Sequence, residues 1–148
     1  MRYQLSIDSP VGPLTLTEQD GAVVEIGWGR GGGNGSALLA EAARQLEAYF
    51  AGALTAFDLP LRPAGSPFER RVWAAMQQIP YGETRRYGEL AAALGSAPRA
   101  VGGACGRNPI PVVIPCHRVL AKTGLGGYSG RGGLDTKRAL LALEGALD

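Results

Sequence analysis

Polar and apolar residues alternate almost from the start of the chain. Residues 2–8 (RYQLSID), 13–18 (PLTLTE) and 22–28 (AVVEIGW) alternate or run apolar, and Ser9-Pro10 and Asp20-Gly21 separate them as turns. That pattern predicts a small antiparallel meander. After GRGGGNG at 29–35 the period lengthens. Leu39, Ala42, Ala43, Leu46, Tyr49 and Phe50 fall on one face of a helix, which Ala51-Gly52 ends. FDLPL at 57–61 reads as a last strand, and RPAGSP at 62–67 as a linker.

Beyond the linker the pattern is helical. Phe68, Val72, Ala75, Met76 and Ile79 share one face, and Pro80-Tyr81-Gly82 stops that helix. TRRYGELAAALG at 84–95 predicts the next, with Leu90, Ala91 and Leu94 inward and Gly95 as its stop. SAPRAVGGACGRN at 96–108 begins a third, with Ser96 as its cap and Pro98 in its first turn. Two helices joined by a short glycine-containing turn form a helix-turn-helix pattern, whose second helix meets DNA where the pattern serves that purpose. Any small helical hairpin has the same outline. The second helix is unusual in carrying Gly102 and Gly103, each costing about 1 kcal/mol relative to Ala. Ala100, Ala104 and Cys105 are also small. A face so slim admits a neighbouring helix or a nucleic-acid backbone, and Arg99 at its start is placed to reach into a groove.

Length and charge add a division of labour. The 148 residues suit one domain or two small ones, and the linker suggests boundaries of 1–62 and 63–148. Residues 1–62 hold four Arg against seven Asp or Glu, a net −3; residues 63–148 hold eleven Lys or Arg against six Asp or Glu, a net +5. A polyanion is therefore expected to meet the second part. No apolar run approaches the roughly 20 residues that span a bilayer, and the first residues lack the apolar stretch of a signal peptide. A cytoplasmic protein is the expectation. The glycine-rich loop is not followed by Gly-Lys-Ser/Thr, so it does not read as a phosphate cradle. Two cysteines, at 105 and 116, make neither a disulfide framework nor a CxxC pair, and one histidine does not supply a zinc site. No metal and no cofactor is expected.

The chemistry gathers in NPIPVVIPCHRVL, residues 108–120, where Cys116 stands directly before the chain's single histidine, His117. A cysteine nucleophile acts as thiolate, and its free pKa of roughly 8.5 leaves little thiolate at neutral pH. A base or a positive environment is needed. A histidine base needs in turn a partner that fixes its tautomer. Glu144, in LLALEG, is an apolar-flanked carboxylate suited to that task. On residue type and spacing alone, an inert buried cysteine remains the alternative.

RAVGGACGRNPIPVVIPCHRV (99–119), with PYGETRRYGELAAALG (80–95) upstream and GYSG and LLALEG downstream, resembles the O6-alkylguanine-DNA alkyltransferases, or methylated-DNA–protein cysteine methyltransferases. The resemblance spans residues 66–145, and 1–62 more loosely. It implies an α+β chain: a small antiparallel sheet with a helix, ribonuclease-H-like, in 1–62, and a mainly helical, winged-helix-like domain with the helix-turn-helix in 63–148. It implies DNA repair by a single-use transfer. An alkylated guanine is flipped out of the duplex, the thiolate takes the alkyl group from O6, and the stable thioether leaves the protein spent. The partner it implies is double-stranded DNA containing O6-alkylguanine, engaged by a monomer through the minor groove.

The resemblance also implies roles. Cys116 is the acceptor, His117 the base acting through a water, and Glu144 the group orienting it. Asn108 braces the site, and Tyr87 donates a proton to N3 of the leaving guanine. Arg99 fills the gap left by the flipped nucleotide, on a DNA-binding face that includes Ala100, Gly102 and Gly103. Tyr128 and Ser129 wall the pocket, and the carbonyls of Val119 and Cys116 receive the exocyclic amine. Arg118, Trp73 and Cys105 take structural parts. The chain departs from the family after Tyr128, where YSGRGGL is about two residues longer than usual; a more mobile loop at 129–134 is the expectation. A non-catalytic sensor of alkylated bases is the main rival, but relatives of that kind replace the cysteine. A Cys-His hydrolase would need turnover, and a sequence-specific transcription factor would need more base-reading side chains than this slim helix carries.

Overall fold

The early alternation becomes three strands, β1 (Arg2–Ile7), β2 (Leu14–Gln19) and β3 (Ala22–Trp28), paired antiparallel in the order β1-β2-β3. This computed structural model describes residues 1–147 and divides into two units, Met1–Ala64 and Gly65 onward. In the first unit the central strand carries the core. Leu14 and Leu16 are wholly buried, opposite Ile7 and Leu5 on one side and Trp28 and Ile26 on the other. A register shift between Thr17 and Glu18 interrupts the alternation, so that both are buried. Glu18 is satisfied by the Ser36 hydroxyl, which also caps the helix α1 (Ala37–Phe50) by accepting from the Leu39 amide at 3.1 Å.

The buried face of α1 is Leu39, Ala42, Gln45, Leu46 and Tyr49. Ala43 and Phe50, expected on it, are only half-buried. Gln45 enters instead because its side-chain amide pairs with both backbone groups of Asp58, at 2.9 and 3.0 Å. Tertiary hydrogen bonding has here overridden a polarity-based reading. The strand expected at 57–61 shrinks to one parallel bridge, Leu61 with Val23. Pro60 accepts from Val23 but has no N–H to extend a ladder.

The second unit opens with α2 (Pro67–Gln77). Ser66 and Glu69 form a reciprocal capping box, with Pro67 in the first turn. Val72, Trp73 and Met76 are buried, and the Trp73 indole N–H donates to the carbonyl of Ala104 at 2.8 Å. The next helix begins later than its pattern suggests. Arg85–Arg86 form a two-residue strand, β4, paired parallel with β5 (Val119–Leu120), and α3 runs Tyr87–Leu94. Arg86 is extended, and its amide is taken by the Glu89 carboxylate at 2.9 Å. Gly95, in the left-handed region, ends α3.

Ser96 does not cap the following helix. Its amide closes α3 onto the Ala91 carbonyl, and Ala97 is the N-cap of α4 (Pro98–Gly106), with no side-chain acceptor. Pro98 occupies the first turn as expected. After α4, Asn108 clamps the proline-rich run: its carbonyl accepts from the Ile110 amide at 2.9 Å and its amide donates to the Ile114 carbonyl at 2.8 Å. Val112 inside that clamp has φ +71, a conformation a β-branched residue adopts only under constraint. Cys116–Arg118 then form a single 3-10 turn, and α5 (Gly133–Leu143) follows. Among the described residues no helix is long and apolar enough to cross a membrane.

Trp73 joins α2 to α4, and the loss of its N–H leaves the Ala104 carbonyl with only the Arg107 amide, at 3.2 Å, as a donor. Trp73→Phe is expected to lower the stability of the second unit by about 0.5–1.5 kcal/mol, read as a lower urea midpoint with α4 amides exchanging faster.

Candidate active site

Cys116 stands at the start of the 3-10 turn, only 6% exposed. Burial pushes its thiol above the ordinary range; the Asn108 side chain and the positive charge of Lys137 oppose that push. Asn108 thus shapes the run leading to Cys116 and also faces the thiol. Before it the proline-rich run folds back on itself, with the Ile114 amide donating to the Ile110 carbonyl at 2.9 Å, and the thiol stands at the wall of a pocket of about 390 Å³.

His117 points away from that pocket, into the core. Its Nε2–H donates to Glu144 Oε2 at 2.8 Å, and both side chains are wholly buried. Burial lowers the imidazole pKa, Glu144 raises it, and the charges of Arg118 and Lys137 lower it again, with a net fall. The ring is therefore neutral, and a carboxylate on Nε2 requires the proton there. Nδ1 is left as a bare acceptor; it is buried and has no protein partner. The pairing of His117 with Glu144 expected from the sequence is present.

A third member of this cluster was read as merely structural. Arg118 sets its guanidinium against the same carboxylate, Nε to Oε1 at 2.8 Å and an Nη to Oε2 at 3.0 Å, while the other Nη donates to the Ile79 carbonyl at 2.6 Å. Its plane lies 5.9 Å from the Tyr81 ring centre. Glu144, at the C-cap of α5, thus answers to two cationic or polar partners from one turn.

Lys137 was not singled out at all. Its side chain is wholly buried, and Nζ donates to three carbonyls: Val119 at 2.7 Å, Leu125 at 2.6 Å and Gly127 at 3.0 Å. All three ammonium hydrogens are used. The readable signal was its spacing, since Lys137, Leu140, Leu141 and Glu144 recur at the period of one buried helical face. Lys137 anchors the segment that walls the pocket and adds positive charge near Cys116.

That pocket is lined from three sides. Tyr87 comes from α3, and Gly102, Cys105 and Gly106 from α4. Gly127, Tyr128 and Ser129 come from the segment before α5. Burial raises the Tyr87 hydroxyl to about 12, helped by the charges of Cys105 and Cys116, so it stays a proton donor; the Tyr128 hydroxyl is also raised by burial. Gly126 is pressed against Tyr87, where a Cβ would sit 3.0 Å from the ring. Val119 is wholly buried, and its carbonyl accepts from Lys137. The longer loop at 129–134 turns directly into α5, and the Thr136 hydroxyl pins it by donating to the Arg131 carbonyl at 2.6 Å.

The proposed DNA-facing residues divide. Arg99 and Ala100 are exposed. Gly102 borders the thiol pocket, and Gly103 faces the Arg107 guanidinium instead. Arg99 also lines a second hollow of about 610 Å³, together with Arg86 and Lys122 across the starts of α3 and α4. Among the described residues no group of three or more His, Cys, Asp or Glu side chains is placed to hold a metal.

Comparison with known proteins gives two family matches. Residues 67–146 match the DNA binding domain of 6-O-methylguanine DNA methyltransferase, and residues 1–63 match its ribonuclease-like domain. A methylated-DNA–protein-cysteine methyltransferase of Mycolicibacterium paratuberculosis is 49% identical over 94% of this chain and 90% of its own. One from Methanosarcina acetivorans is 44% identical over 97% and 99%. Among solved structures, a Mycobacterium tuberculosis O6-methylguanine methyltransferase has a TM-score of 0.86 at 44% identity, covering all of this chain and 95% of its own. The OGT of the same organism in complex with DNA has a TM-score of 0.84 at 47% identity, covering 95% and 91%.

Arg118→Met takes the guanidinium charge and two hydrogen bonds from the buried Glu144 carboxylate and is expected to cost about 3–5 kcal/mol, measured by denaturant unfolding. With the guanidinium charge gone, the His117 imidazole becomes more basic, and its titration followed by NMR moves to higher pH. Arg118→Lys keeps the charge and leaves that titration nearer its original position.

Proposed function

The chain belongs to the 6-O-methylguanine DNA methyltransferase family, and from that premise we propose that Cys116 is the acceptor in direct repair of O6-alkylguanine in DNA. The observation that carries this assignment is the thiol itself: it opens on a pocket with tyrosine hydroxyls on two walls, and the next residue begins a buried His-Glu-Arg cluster. The same observation disfavours a non-catalytic sensor, which has no use for a nucleophile there.

The groups have sequential tasks. Neutral His117 accepts the Cys116 proton on Nδ1 through one water. Glu144 then stabilises the imidazolium by the hydrogen bond already in place, while Arg118 keeps the carboxylate fixed and ionised. Asn108 and Lys137 favour the thiolate against the burial that opposes it. The thiolate attacks the alkyl carbon, the carbon–O6 bond breaks, and its electron pair stays on the guanine. Tyr87, held protonated by burial, donates to N3 of the leaving base, and Tyr128 and Ser129 close the wall beside O6. The product is a thioether with no route to hydrolysis, so each molecule acts once.

For the base to reach Cys116 it must leave the duplex. The slim face of α4 suits close approach in the minor groove, and Arg99, exposed at the start of that helix, is suited to fill the vacated stack. Arg86 and Lys122 beside it suit the phosphate backbone. The protein acts in this reading as a monomer in the cytoplasm.

The direct test is intact-protein mass after mixing with duplex DNA carrying one O6-methylguanine, followed by peptide mapping. One methyl-for-hydrogen replacement on Cys116, capped at one per protein, is expected; binding without mass change favours the sensor. Cys116→Ser abolishes the gain. His117→Gln slows transfer by roughly 10²–10⁴. Because burial holds His117 below the ordinary imidazole range, the wild-type rate stays flat through neutral pH and falls only at pH values below that range; stopped-flow transfer across pH reads this.

A further inference from the structure

We propose that Cys105 is a second acceptor, for alkyl groups that carry a leaving group of their own: such a group, once on Cys116, is closed onto Cys105 as a thioether bridge across the pocket. The inference rests on Cys116 being the first acceptor. Cys105 lines the same pocket as Cys116 and has the same 6% exposure. Its sulfur lies 3.4 Å from Met76 Sδ, so packing on the α2 side positions it. On the pocket side its neighbours on α4 are Gly102 and Gly106, where a Cβ would meet nothing within 4 Å. The wall around Cys105 is bare backbone, leaving room for a chain running from one sulfur toward the other. The mechanism for simple alkyl groups makes no use of this thiol.

Cys116 takes the first attack because the Asn108 side chain and the buried His117–Glu144 pair stand beside it, whereas the Cys105 thiol is hydrogen-bonded to Met76 Sδ. Burial, with the charge of Cys116 as the next cause, raises Cys105 to about 12. Alkylation removes the Cys116 charge, and with it one of the causes that keep Cys105 protonated. For a 2-chloroethyl group the steps balance as follows. Cys116 thiolate displaces guanine from the O6-bearing carbon, giving a 2-chloroethyl thioether. The thioether sulfur displaces chloride intramolecularly, forming a three-membered episulfonium ion. The Cys105 thiol attacks a ring carbon, the carbon–sulfonium bond breaks with its electron pair returning to Cys116, and the thiol proton leaves to water. The result is a two-carbon bridge, a chloride ion and a proton. A partner held in place competes well against solvent, since effective concentrations for oriented groups reach about 10⁵ M or more. Without that capture, the same reactive sulfonium would face the DNA still bound at the pocket mouth.

The test mixes the full chain with duplex DNA carrying one freshly prepared O6-(2-chloroethyl)guanine, with an O6-methylguanine duplex in parallel. The expected chloroethyl product has one ethylene in place of two thiol hydrogens, loses both free thiols, and yields a single cross-linked peptide containing Cys105 and Cys116. In Cys105→Ser the product is 2-hydroxyethyl on Cys116 or a covalent adduct to DNA, scored against the variant's own methyl transfer to Cys116. A wild-type protein that takes methyl on Cys116 but gives only the hydroxyethyl product or a DNA adduct, with Cys105 still free, overturns this proposal alone. Failure of methyl transfer overturns the reading of Cys116 beneath it.

Discussion

One buried carboxylate organises the reactive half of this molecule. The Glu144 side chain is wholly buried, and a lone charge there would be costly. It is tolerable because Arg118 meets it with two parallel hydrogen bonds and His117 with a third. Those partners come from the turn that carries Cys116, while Glu144 closes α5. Satisfying one charge therefore fixes the turn to the last helix. It also decides which histidine nitrogen carries the proton. A glutamate alone would pull the imidazole toward its charged form; the arginine beside it resists that pull, and burial resists it further.

A second charge performs a parallel task on the other side of the thiol. Lys137 gathers three carbonyls from β5 and the segment that follows, and so gives a glycine-rich stretch a fixed course past the pocket. Gly126 fits against Tyr87 only because it lacks a side chain. Fixed walls matter in alkyl transfer, because a loose wall admits misplacement of the reacting carbon. Two buried charges, each fully hydrogen-bonded, hold a site built largely from turns and loop.

Much of this was legible in the sequence where local pattern and physical requirement coincide. The meander, the helix on it, the paired helices and the Cys-His-Glu set follow from alternation, periodicity and the needs of a thiol nucleophile. Misreadings arose where distant residues decide. β4 depends on a partner strand more than thirty positions away, and nothing in Arg85-Arg86 announces it. Gln45 is buried through Asp58, and Ser96 gave up its capping role to close the helix before it. Arg118, expected to take a structural part, holds Glu144, while Lys137 escapes a reading by polarity because a charged side chain is usually solvated. For Lys137 the helical spacing contradicted that assumption, and the spacing was the better guide. The additional residues near Arg131 enter a turn that Thr136 ties to the helix.

The two tryptophans fall one to each unit, Trp28 on β3 and Trp73 on α2. The indole of Trp73 is almost wholly enclosed and hydrogen-bonded to the backbone of α4, whereas Trp28 is partly open to solvent. Their emission maxima should differ accordingly, bluer for Trp73. A single fluorescence spectrum thus carries two separate channels, one for the sheet-bearing unit and one for the helix behind the thiol pocket, without any dye or label.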